Sequence, residues 1–332
     1  MAFFINRRRL LATAASAAAA APLSAWAEQA SFATRPVRMV VPFAAGGATD
    51  IIARVLGKHL AETFGQAVIV DNKPGASGLI SGETVVRAPA DGLTVLMGST
   101  TTMLTNKYLF TKTSYDPLTD LLPISRVCTA PLILTVTSDA PASDMKEFMA
   151  WIKANKGKLS YGTYGIGSHA QLVFTTLSEM AGADMTHVAY KGEAPMAQSL
   201  LGDNIKIGMG SFLTLKPYFD SGKLRPLAVT GGQRVPLLQH VPTFAEAGYA
   251  SEAASLVGWL AIAVPKGLPA DIAKQWEKAV NRAVTSREGK ARIIASGFVP
   301  ADDDTLDKFG KDWASEGPLW GKLLKQAGVQ PS

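Results

Sequence analysis

"VVPFAAGGATDIIARVLGKHL", residues 40–60, decides the fold. Apolar residues run up to Phe43. Then come Ala44, Ala45, Gly46, Gly47, Ala48 and Thr49, and from Asp50 apolar residues recur at helical spacing. The first run reads as a strand, Val37–Phe43, and the last as a helix, Asp50–Thr63. "RMVVPF" shows no alternation, which suits a strand buried on both faces. The small residues between have two physical readings. Either strand and helix pack closely there, or something approaches the backbone. Glycine tolerates positive φ and leaves amide N–H groups uncovered. A helix N-terminus adds unpaired donors and a partial positive charge. Together they make an anion site that needs no Lys or Arg. Thr49 and Asp50 are also candidates to cap the helix.

The same strand–turn–helix rhythm continues along the chain. Ala67–Val70, Leu93–Gly98, Leu132–Thr137, Leu159–Thr163, Thr186–Tyr190, Leu224–Thr230 and Trp259–Val264 read as strands. Ser81–Ala88, Asp144–Asn155, Gln171–Ala181 and Ala194–Leu201 read as helices, and the tail from Pro269 is helical. This is an α/β chain of mostly parallel sheets flanked by helices. Its length exceeds what one core usually supports, so two lobes are expected. No Pro/Gly-rich linker divides them. The chain is therefore expected to cross on strands, at Arg126–Thr137 and Val257–Val264.

Three more junctions resemble the first. "LSYGTYGIGSHAQL" (159–172) carries Gly162, Thr163, Gly165, Gly167 and Ser168; "DNKPGASG" (71–78) carries Lys73 and Ser77; "GSTTTM" (98–103) carries Ser99, Thr100 and Thr101. Each follows a strand, and ligands of open α/β sheets sit at the carboxyl ends of strands. One such turn is explained by tight turning alone. Four of them, split between two lobes, point to a cleft lined by amides and hydroxyls that accepts an anion.

The N-terminus has a different purpose. Arg7, Arg8 and Arg9 precede an apolar Ala-rich run, and "AWA" (25–27) offers small residues to a signal peptidase. Residues 1–27 are read as a removed secretory signal, too short in its apolar run to span a bilayer. "NRRRLL" is compatible with the twin-arginine route as well as the general one. Removing those 27 residues from 332 leaves 305, and removing three Arg from a net charge of +6 leaves +3. So weak a charge gives no basic stripe for nucleic acid. Cys128, the only cysteine, excludes an internal disulfide and a Cys-based zinc cluster. The histidines at 59, 169, 187 and 240 show no metal-binding spacing, and no cofactor is expected.

Enzyme readings find little support. "GIGSHA" (165–170) matches the dinucleotide fingerprint G-x-G-x-x-A, but the next strand ends in Tyr190 and Lys191 rather than an acid. No G-x-S-x-G elbow is present, and Ser168 and His169 are adjacent on one loop.

"PFAAGGATDIIAR", "VDNKPGASG", "APADGLTVLMGS", "SYDPLTDLLPISRV", "KANKGKLSYGTYGIGS", "HVAYKG", "VPTFAEAGY" and "FGKDWASEGPLWGKLLKQAG" occur in this order. The chain resembles the periplasmic solute-binding proteins of tripartite tricarboxylate transporters, or Bug receptors, from about Arg35 to Gly328. The resemblance implies a monomeric, two-lobed periplasmic binding protein of type II-like architecture with its cleft between lobes. Residues 34–129 with 257–332 would form one lobe and 130–256 the other. It implies capture of a small organic carboxylate and delivery to the membrane subunits of a tripartite transporter. A sensing module that docks on a sensor kinase would use the same cleft; neighbouring genes separate the two. An exported enzyme is the third alternative.

By the same resemblance, Phe43, Ala44, Ala45, Gly46, Gly47, Thr49 and Asp50 form one wall, with Ser77, Ser99, Thr100 and Thr101. Thr163, Gly165, Gly167, Ser168, Tyr190 and Lys191 form the other, and Gly210 joins them. Lys73 and Lys191 would act as distant positive charges. The chain departs from the family at Lys73, where Arg is usual, and at Gln171, where His is usual. At Gly208–Ser211 the family tends to carry an acid or amide. Those small residues and Met209 imply a roomier, less polar wall, suited to an aromatic or longer-chain carboxylate.

Overall fold

A computed structural model describes residues 31–302 and 304–331. The expected leader, residues 1–27, lies outside the described residues. Strand β1 (Val37–Val41) feeds helix α1 (Ala48–Phe64), and β2 (Val68–Asn72) feeds α2 (Leu79–Val86). After β3 (Thr94–Ser99) comes a π-type turn, Thr101–Thr105, before β4 (Leu121–Ala130) and β5 (Leu132–Thr137). Then follow α3 (Met145–Ala154), β6 (Ser160–Thr163), α4 (His169–Ala181), β7 (Thr186–Ala189) and α5 (Glu193–Leu201). Strand β8 (Ile207–Ser211), α6 (Phe212–Asp220), β9 (Leu224–Val229) and β10 (Gly258–Pro265) come next. The chain ends with α7 (Ala270–Thr285), α8 (Arg287–Ala295), β11 (Val299–Pro300) and α9 (Leu306–Gln326).

The strands form two sheets, ordered β11-β4-β10-β3-β1-β2 and β7-β6-β8-β5-β9. Within each βα series the ladders are parallel: β1 with β2 and β3, and β6 with β7 and β8. One interior strand of each sheet runs against its neighbours. β10 is antiparallel to β3 and β4, and β5 to β8 and β9; edge strand β11 also opposes β4. Both sheets are therefore mixed. The reason lies in the connections. Parallel neighbours need a long crossover, usually a helix. β4 instead passes to β5 through Pro131 alone, leaving the first sheet and entering the second as extended chain. β10 returns to the first sheet. Both crossing strands are buried along their whole length, as interior strands are.

The boundaries of α1 follow from its sequence. Ile52, Leu56, Leu60 and Phe64 lie on one buried face. Gly65 stops the helix in the left-handed conformation, its N–H donating to the Ala61 carbonyl. Phe64 meets Trp276 of α7 edge to face, with centroids 4.8 Å apart. That packing anchors the C-terminal end of α1 against α7. Both sheets lie within one compact unit, Ala33–Ser332.

Candidate functional site

Loops at the ends of both sheets enclose a cavity. From the first sheet come Phe43, Gly47, Ala48, Thr49, Ser99 and Thr100; from the second, Tyr164, His169, Glu193 and Ser211. Ala130, Leu132, Gly258, Trp259 and Leu260, on or beside the crossing strands, close its back.

The first loop is built from the backbone outward. Gly46 has φ +82°, the left-handed region that glycine enters without a Cβ penalty. Asp50, three residues into the chain after Gly47, reaches back and accepts the Gly46 N–H at 3.0 Å. Arg54 clamps the same carboxylate, with contacts of 2.9 and 3.1 Å. Burial alone would raise the Asp50 carboxyl, but hydrogen bonds from Arg54, Gly46 and Asn72 outweigh it and hold it below the usual range. Asp50 therefore shapes the loop from behind and does not line the cavity. Gly47, the residue preceding α1, carries no side chain to cap it. The first-turn amides of α1 stay available on the cavity side.

The other expected residues divide. Phe43, Gly47, Thr49, Ser99 and Thr100 line the cavity. Phe43 also lines a second, outer pocket with Ser77, Gly165, Tyr190 and Lys191. Phe43 and Tyr164 meet edge to face at 5.9 Å and are shared by both spaces. The remaining residues line neither space. Ala44 donates its N–H to the Lys191 carbonyl at 3.0 Å, joining loops of the two sheets. Ala45 and Gly46 are exposed to solvent. Thr101 is buried as the first residue of the π-type turn. Thr163 bonds His187 Nε2 at 2.7 Å, Gly167 accepts from Thr105 at 3.2 Å, and Ser168 caps α4. Lys73 lies 4.0 Å from Asp71.

Gly208 and Gly210 leave no gap. A Cβ on Gly208 would meet Leu200 at 2.9 Å, and one on Gly210 would meet Met196 at 3.1 Å. Met209 is fully buried in the core. Packing by α5 thus replaces the expected roomier wall. The space over Gly210 instead admits Glu193, whose Cδ is 3.6 Å from that ideal Cβ position.

Glu193, Tyr164, His169 and Trp259 were not among the expected site residues. Ser211 and Thr214 donate to Glu193 Oε2 at 2.5 and 2.7 Å. Burial raises its carboxyl, and those hydroxyl bonds offset the rise only in part. Among the described residues lining the cavity, Glu193 is the one carboxylate, and no Lys or Arg joins it. His169 donates Nε2–H to the Ala253 carbonyl at 2.7 Å, leaving Nδ1 as a buried lone pair with no partner. Burial lowers His169 to about 4, so the ring is neutral. With Nε2 spent and Ser168 capping α4, these neighbours do not form a nucleophile–base pair. Among the described residues, no group of three His, Cys, Asp or Glu is placed to hold a metal.

The comparisons with known proteins agree with this architecture. Residues 52–328 match the family model TctC, described as the tripartite tricarboxylate transporter family receptor. The chain belongs to that family. The receptor is 31% identical over 327 residues to protein BugT of Bordetella pertussis, covering 98% of this chain and 99% of that one. The Rhodopseudomonas palustris protein Rpa4515, solved with adipate, is 32% identical with TM-score 0.86, covering 90% of this chain and 99% of that one. The periplasmic binding protein BugD gives 32% identity and TM-score 0.85 at the same coverage. These likenesses fit a two-lobed α/β binding protein.

Proposed function

We propose that this receptor captures a small organic carboxylate in the periplasm and delivers it to the membrane subunits of a tripartite transporter, without chemistry. One lobe comprises residues 34–129 and 257–332, the other 130–256. The observation that carries the reading is the cavity itself. Loops of both sheets meet over it, and the hydroxyls of Thr49, Ser99 and Thr100 stand beside the uncapped start of α1. Micromolar binding needs about 8 kcal/mol. Hydrogen bonds to a charged group contribute roughly 1.5–3 kcal/mol each, so four or five suffice after the ordering cost of closure. No cation is required in the lining.

Phe43, Tyr164, Trp259, Leu132 and Leu260 give the remaining wall an apolar character. That favours a longer-chain or aromatic carboxylate over a short polar acid, and the adipate bound by Rpa4515 is of the longer kind. Mass spectrometry of small molecules released from the purified protein, followed by calorimetric titration, tests the reading. A carboxylate released unchanged and rebound supports it. A thermal-shift panel in which only short polar acids stabilise the protein removes the longer-chain or aromatic assignment. Release of a chemically altered molecule removes the receptor reading.

A further inference from the structure

The acid in the cavity poses a problem for an anionic guest. Gly47 and Glu193 are neighbours across the lobes: a Cβ on Gly47 would lie 3.9 Å from the backbone nitrogens of Glu193 and Ala194. The Glu193 side chain lines the same cavity as Gly47 and Thr49, so a carboxylate cradled by the first-turn amides of α1 shares that space with it. Ser211 and Thr214 both donate to Oε2, which marks that oxygen as an acceptor. The Ser211 main-chain N–H also donates to this carboxylate.

Resting on the carboxylate reading above, we propose that Glu193 is a recognition residue that meets the guest's carboxylate through a shared proton, so that capture takes up one proton from solvent. Two carboxylates within hydrogen-bond reach of each other do not both ionise readily; one keeps its proton, and a carboxyl–carboxylate hydrogen bond results. Among the described residues, no positively charged side chain joins Glu193 in the cavity lining. Arg54 is committed to Asp50 behind the first loop. His169 is neutral and offers a lone pair, not a proton. The Tyr164 phenol is pushed up by burial and by Glu193 itself. Ser211 and Thr214 already donate to Oε2, and Lys191 is exposed and lines the outer pocket. The raised carboxyl of Glu193 points the same way.

Calorimetric titration of the purified protein with adipate and with benzoate tests the assignment. It is run from about pH 6.5 to 8.5, above the titration of the probes' own carboxyls, in buffers of different ionisation enthalpy. The native chain is expected to take up about one proton per guest, and its affinity to weaken by up to about tenfold per pH unit. Glu193→Gln carries a permanent donor of the same shape. It is expected to bind with no pH dependence and more tightly than the native chain at the alkaline end. Thermal unfolding without ligand checks that the variant is folded, and the native proton count stands without it. A pH-independent native affinity with a Gln variant weakened more than tenfold would mean that Glu193 works ionised against a cationic group, and overturns the proposal. Equal, pH-independent binding by both proteins also overturns it, making Glu193 structural. Failure of both probes at every pH removes the carboxylate reading, and the shared proton with it.

Discussion

Gly46 and Gly47 are adjacent and answer to different constraints. Gly46 needs its positive φ, so Gly46→Ala strains the loop and is expected to cost about 1–2 kcal/mol in urea unfolding. Gly47 has φ −83°, and a Cβ there meets nothing nearer than 3.6 Å. Gly47→Val is therefore expected to fold normally, while its methyl groups cover the amides of α1. Affinity for the released ligand should fall at least tenfold; unchanged binding would take the first loop out of the site. Asp50 completes the residue-scale picture. Its depressed carboxyl contributes stability above the ordinary carboxylate titration, and that contribution is lost as pH falls through the lowered value. Asp50→Asn is expected to cost about 1–3 kcal/mol at neutral pH, with the gap narrowing below about pH 4. Denaturant curves at both pH values check this. The loop itself was legible, because missing side chains are visible in a sequence. Asp50 holding Gly46 was not, since reading it as a helix cap required no knowledge of where Arg54 pointed.

At the scale of elements, α9 is pinned to β4 by Arg126. Its main-chain N–H donates to Asp304 at 2.7 Å, and its guanidinium contacts Asp312, approaches Glu316 at 3.7 Å and stacks 5.2 Å over the Phe309 ring. Glu316 accepts the Trp259 indole N–H at 2.8 Å, so this cluster also holds a wall of the cavity. Arg126→Ala strands the buried Asp304 and is expected to destabilise by about 3 kcal/mol. Burial already raises the Asp304 carboxyl, and losing Arg126 raises it further. A raised acid stabilises below its unfolded pKa and loses that increment as pH rises, so the variant's deficit should shrink on acidification. Thermal melts across pH check the sign. Most elements were readable from period alone: Leu132–Thr137 matches β5 residue for residue. Helix α6 was missed because Pro217 interrupts its pattern. The reversal of β10 was invisible because local sequence carries no strand direction.

At the scale of the whole molecule, a guest bound between lobes stabilises only the folded chain. At a concentration about one hundred times its dissociation constant it should add about 2.7 kcal/mol, raising the melting temperature by about 4 °C for a chain of this size. A guest that binds by calorimetry yet leaves the melting point fixed would argue against a site inside the folded protein. Length and the missing linker announced two lobes and strand crossings. They did not say which loops would face each other. Glu193 illustrates the gap: in sequence it is an ordinary acid opening a helix, and only the fold brings it into the cavity lining with Gly47.

The bond from Ala44 N–H to the Lys191 carbonyl is made entirely of main chain. Gly192 lets the strands of loop come that near, since a Cβ there would sit 3.3 Å from the Ala44 nitrogen. A clasp without side chains survives almost any change in the lining around it. Relatives with different tastes in cargo can thus keep one fastening, and swapping the upholstery need not disturb the lock.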